Sequence, residues 1–127
     1  MIINHHSAQV RSQAHKGGIV HEAYKGVLTT EACTSLAISA AMHTPDANGI
    51  LFDKSMAIIA YGDMEGMRPI RKNPPAVAFI VPDSSFLMVA DYCQAMAISG
   101  LHWTAWLDSQ REQAQNWVEA FALLRTK

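Results

Sequence analysis

A chain of 127 residues is long enough for one domain with its own hydrophobic core and short for two. Half of it is apolar, so it should fold without staples, and a formal net charge of −1 argues against bulk electrostatic attraction to nucleic acid. Charged residues make up only 17%, against about 25% in a usual soluble domain, which leaves apolar or small-polar surface of the kind a partner or ligand covers.

No stretch approaches the roughly 18 consecutive apolar residues of a membrane span. The start, Met1-Ile2-Ile3-Asn4-His5-His6, has no basic region followed by an apolar run and so does not read as a secretory signal. The expectation is a cytoplasmic single domain over residues 1–127, with residues 1–6 a frayed terminus.

In chain order, residues 7–14 alternate weakly, with Ala8, Val10, Ser12 and Ala14 on one side. Lys16-Gly17-Gly18 is a hairpin turn signal, and residues 19–25 read as the second strand, closed by Gly26. Thr29-Thr30-Glu31 offers a hydroxyl cap and an acid in the first turn of a helix that runs to about His43, where Pro45, Asn48 and Gly49 end it. Cys33, Leu36, Ala37 and Ala40 share its core face, while Ile38 and Met42 sit among the polar residues opposite. Gly49-Ile50-Leu51-Phe52-Asp53 is a short apolar run suited to a strand covered on both faces. Residues 56–61 either continue that strand or begin a short helix, and Gly62, Gly66 and Pro69 punctuate the connector beyond them.

Ala76-Val77-Ala78-Phe79-Ile80-Val81 is apolar at every position and predicts a central strand. Asp83 is placed to cap a helix over residues 84–99, stopped by Gly100, and residues 101–107 form the last strand. Ser109 with Glu112 predicts a capping box for a final helix in which Ala114, Trp117, Val118 and Phe121 recur at helical spacing. The fold class is therefore α/β: a four- or five-stranded mixed sheet, an N-terminal hairpin followed by alternating strands and helices. Cys33 and Cys93 lie inside apolar periodic segments, where two buried free thiols fit better than a disulfide.

A hairpin ending Tyr24-Lys25-Gly26-Val27-Leu28-Thr29 leads into a helix and then a strand ending in Asp53. The Ala76–Val81 strand feeds a helix ending Ile98-Ser99-Gly100-Leu101, followed by a strand and a helix carrying Trp117. This order resembles the STAS superfamily, the sporulation anti-sigma-factor-antagonist type of domain, and more closely its bacterial STAS-like branch. The resemblance spans residues 7–124 and rests on element order and short phrases. It implies a non-catalytic regulatory or protein-interaction role. Regulatory members carry an Asp-Ser-Ser-Gly or Asp-Ser-Thr-Gly phrase whose hydroxyl is phosphorylated. The corresponding stretch here, Tyr61-Gly62-Asp63-Met64-Glu65, has no hydroxyl beside Asp63, Ser55 is too near the strand end, and Asp83-Ser84-Ser85 follows the wrong strand. The phosphorylation switch does not carry over. Some members are likened to lipid-binding Sec14-type domains, so a small apolar or amphipathic ligand is the alternative, and a small enzyme whose site is assembled from unrelated loops is a third, less favoured reading.

Enzyme signatures are absent: no Gly-x-Ser-x-Gly elbow, no phosphate-cradling loop, no dinucleotide fingerprint. Six histidines include no helical i, i+4 pair, so neither a metal nor another cofactor is expected, and His21 and His102 are read as ordinary half-buried strand residues. The outer face of the helix over residues 84–99 carries Leu87, Met88, Asp91, Ala95 and Ile98. With Ile38 and Met42 these are the candidate interface of a homodimer or of a protein partner. A second candidate is a site for an anionic or amphipathic ligand lined by Tyr61, Arg68 and Arg71 in the connector before Pro74.

Overall fold

The computed structural model describes residues 1–60 and 74–125. In chain order these form β1 (Ile2–His5), β2 (Ala8–His15), β3 (Ile19–Leu28), α1 (Thr30–His43), β4 (Gly49–Ile59), β5 (Ala76–Val81), α2 (Phe86–Ile98), β6 (Trp103–Leu107) and α3 (Arg111–Arg125). Among the described residues the six strands make one sheet in chain order. β1, β2 and β3 run antiparallel, and β3 to β6 run parallel. No described helix is long and apolar enough to cross a membrane.

Apolar side chains build a core on each side of the sheet. Val77, Phe79 and Val81 of β5 enter one core, with Cys33 and Leu36 of α1 and Val89 and Cys93 of α2. Ala78 and Ile80 enter the other, beneath Ala114, Val118 and Ala122 of α3. That is why β5 is apolar at every position: each face of it meets a helix layer. The β3–α1–β4 and β5–α2–β6 crossovers step the same way along the sheet, and a common handedness puts both helices on one side. A single helical turn at Asp108–Gln110 then sends α3 to the other.

The sheet has six strands where the sequence predicts four or five. The additional one is β1, expected as a frayed end. Ile3 pairs with Val10 and packs half-buried on the core, and the terminal ammonium donates to Ser12 O at 3.1 Å. Four residues are too short for a readable alternation. Of the two readings of residues 56–61, the strand is the one formed as far as Ile59.

Thr29 caps α1 as expected, its hydroxyl accepting from the Ala32 N–H at 3.1 Å. The other two helix starts differ. Asp83 lies inside a helical turn at Asp83–Ser85 instead of capping α2 with its side chain, and the turn's backbone bonds, Ser85 N–H to Pro82 O and Phe86 N–H to Asp83 O, occupy donors at the helix entry. α3 is approached through Gln110, whose Oε1 accepts from the Leu107 N–H at 3.0 Å, in place of the expected Ser109–Glu112 box. Gly100, at φ +92°, ends α2 as predicted: its N–H reaches Ala97 O and that of Leu101 reaches Met96 O, the bonding of a Schellman motif.

Gly26 sits at φ +91° in β3, and a Cβ there would run into the Ser7 carbonyl and lie 2.9 Å from Ala8 Cα. Gly100 shares the backbone conformation but has open space around it. Gly26→Ala should therefore cost more than about 2 kcal/mol, and Gly100→Ala only about 1–2 kcal/mol, in urea unfolding. Equal costs would refute the close-approach argument.

Candidate functional site

The middle of β4 departs from regular pairing. Ala23 of β3 faces Asp53 and Lys25 faces Met56, so Lys54 and Ser55 together oppose Tyr24. This bulge inserts one residue and changes which side chains point inward beyond it. Phe52 and Ala57 belong to the core under α1 and α2, whereas Met56 and Ile58 are exposed.

On the α3 side the bulge is pinned by polar contacts. Asp53 Oδ1 accepts from the Ser55 N–H at 3.1 Å and from its hydroxyl at 2.7 Å. Arg111, the first residue of α3, donates to Asp53 Oδ2, Ser55 Oγ and Asp108 Oδ1. Burial disfavours the Asp53 charge, but the bonds from Arg111 and Ser55 outweigh it and hold the carboxyl below its ordinary range. The Asp53 contact, working against burial, raises the Arg111 guanidinium in turn. His21 lies on the same side with its ring 4.1 Å from that of His15, and burial followed by the His15 charge lowers its proton affinity.

On the opposite side the Lys54 side chain ends inside the core at 1% exposure. Its Nζ lies 3.4 Å from Cys33 Sγ, and 5.1, 5.4 and 5.5 Å from the ring centres of Tyr24, Phe79 and Phe52. Glu22, equally buried, accepts the Tyr24 hydroxyl at 2.8 Å. Desolvation lowers the Lys54 pKa, while Cys33, Glu22 and Cys93 oppose that shift. Burial pushes the Cys93 thiol up to about 12, against the pull of Lys54. An ammonium in a core costs several kcal/mol unless paired, and here a carboxylate, a thiol and three aromatic faces surround it. Amine, thiol, carboxyl and phenol together are groups that relay protons or act as nucleophiles. They are sealed from solvent, so in this conformation no substrate atom reaches them.

The sequence reading missed this cluster, although a signal for it existed. Glu22 and Tyr24 share the inward parity of Val20 on β3, and Lys54 that of Ile50 and Phe52 on β4.

The candidate interface residues fall on two helices of one sheet face. Leu87, Asp91, Ala95 and Ile98 are exposed along the outer side of α2, and Ile38 and Met42 are exposed one turn apart on α1. Met88 is different: its long, flexible side chain lies half-buried against the core. Ala97 is also exposed near the end of α2. Tyr61, Arg68, Arg71 and the Asp63 stretch lie outside the described residues.

A shallow hollow of about 250 Å³ lies on the sheet, lined by Gln9, Arg11, Ala23, Tyr24, Lys25, Asp53 and Met56. It is smaller and more polar than an ordinary apolar-ligand pocket. His21 and His102 are not brought together, since His102 stacks on Phe121 at 4.8 Å while His21 stacks on His15. Both cysteines are free and buried. Compared with known proteins, the chain matches no family model, no curated protein and no solved structure.

Replacing Lys54 by methionine keeps the volume but leaves the buried Glu22 without the cation that faces it, which should cost about 3–5 kcal/mol at neutral pH. The pH dependence carries a sign. Because the folded state releases the Lys54 proton at lower pH than the unfolded chain, wild-type stability rises with pH from the folded value toward that of free lysine. Lys54→Met lacks that rise. The gap between the two proteins' urea midpoints should therefore widen as pH increases from neutrality, and a gap that stays flat or narrows contradicts the assignment.

Proposed function

We propose that this chain is a non-catalytic, STAS-like interaction module that associates with a second copy of itself through the outer stripe of α2. What supports the reading is the exposure of Leu87 and Ile98, 77% and 85%, on one stripe with Asp91 and Ala95 between them. Positions 87, 91, 95 and 98 succeed one another at helical i, i+4 and i, i+3 spacing, so a single docking event can cover them all. Under twofold symmetry the stripe meets itself and each side chain counts twice. Each Leu or Ile fully removed from water contributes about 1.5–3 kcal/mol before the costs of association. Asp91 at the centre disfavours perfect overlap, which fits a staggered contact in which the two carboxylates lie apart. Ile38 and Met42 add exposed apolar area on the same side of the sheet.

Catalysis is a weaker fit to the same features. The reactive groups around Lys54 are closed to solvent and are accounted for by their internal pairing.

Sedimentation at micromolar concentration is expected to show a dimer. Leu87→Glu together with Ile98→Glu should convert it to monomer, with the melting temperature of the monomeric fold unchanged because neither side chain packs in the core. A wild-type monomer at that concentration, or a lipid-sized co-purifying mass in native mass spectrometry in place of a dimer, would overturn the reading.

A further inference from the structure

The turn between β1 and β2 places two histidines where an extended chain would separate them. Neighbours in a strand point to opposite faces. His5 ends β1 on the side of Ile3, facing α1. His6, at φ +54°, is the single non-glycine residue in the left-handed region among the described residues, a conformation that non-glycine side chains adopt at a cost of about 1–2 kcal/mol. That step cancels the alternation and brings the two imidazoles edge to face, with ring centres 4.4 Å apart.

The opening turn of α1 supplies a third group. Glu31 Oε1 lies 3.7 Å from His5 Nε2, beyond hydrogen-bond reach. His5 Nε2 is itself shielded from solvent and has no hydrogen-bond partner among the described residues. In the tautomer with the proton on Nδ1, its lone pair faces a carboxylate, a repulsive arrangement that a cation between the two groups makes attractive. One donor atom from each of His5, His6 and Glu31 lies within 4.8 Å of the other two.

We propose that His5, His6 and Glu31 form a binding site for a first-row divalent cation of the zinc, nickel or copper type. Imidazole nitrogens and a carboxylate oxygen bind such an ion at about 2.0–2.2 Å, which sets tetrahedral neighbours about 3.4 Å apart. The His5–Glu31 separation is already close to that value. His6 and Glu31 are both exposed, so their side chains close the remaining distance by rotation without disturbing the core. Two imidazoles select against magnesium and calcium, which take oxygen ligands. Three protein ligands leave a coordination position for water. A bound ion fastens the β1–β2 turn to the start of α1, joining the edge of the sheet to the helix layer.

The test is calorimetric titration of the full-length chain, prepared without a histidine tag, with zinc, nickel and magnesium. One equivalent of zinc and of nickel should bind saturably, with no response to magnesium. His5→Ala and Glu31→Gln should each weaken binding at least about tenfold. His15→Ala should leave it unchanged, and this variant matters because the stacked His15–His21 pair is the competing location. A melting temperature that rises with zinc in wild type and stays still in Glu31→Gln gives a second readout, since Glu31 is exposed and its exchange leaves the fold intact. Absence of saturable binding, binding that survives both ligand substitutions, or binding lost with His15→Ala would each overturn the proposal.

Discussion

The bulge at Lys54 and Ser55 is the constraint on which most of this architecture depends. Before it, β4 sends Ile50 and Phe52 into the core under α1 and α2 and Leu51 into the core under α3. After it, the inward parity moves to Ala57 and Ile59, and Met56 and Ile58 come to the open side. A residue added without a bulge would have turned every later side chain of the strand to the wrong face. Asp53, Ser55 and Arg111 hold the irregular backbone in one geometry, and they join the middle of β4 to the first residue of α3. The same contacts thus settle the strand's phase and the point at which the last helix meets the sheet.

Lys54 shows how the two sides of that bulge differ in chemistry. Arg111 is 42% exposed at its side chain, so its pairing with Asp53 is partly screened by water. Lys54 has no such screening, and its charge is balanced from within, by Glu22 through the Tyr24 region, by Cys33 and by aromatic faces. A buried polar set of this kind often adds no more stability than hydrophobic packing of equal volume. Glu22 comes from β3, Lys54 from β4, Cys33 from α1 and Cys93 from α2. A slipped register or a misplaced helix would leave a charge unpaired in the core.

The surface divides in a similar way. The sheet face next to α3 is covered along β4, β5 and β6, where Ala114, Val118 and Ala122 sit, and open toward Arg11, Ala23, Lys25 and Met56. The face under α1 and α2 is closed by those helices, whose outer sides carry Met42, Leu87 and Ile98. The low charge content of the chain thus shows itself on helix exteriors. A long apolar side chain there meets water unless another surface covers it, whereas Asp91 in the same stripe keeps the exposed area from being uniformly apolar.

Much of the layer order was determined by sequence alone. An unbroken apolar run marked β5 as a central strand, a hydroxyl marked Thr29 as the cap of α1 and a glycine marked the end of α2 at Gly100, because each of these is decided by residues adjacent along the chain. Beyond that reach were β1, too short to show a period, and the start of α3, where Gln110 and not Ser109 makes the capping bond. The Lys54 cluster and the His5–His6–Glu31 group were decided only by tertiary structure. Their members come from separate elements, and their meeting depends on strand register, on one bulge and on one left-handed residue. Such features lie in the geometry between segments, where the local pattern of apolar and polar residues carries no information about which charge faces which.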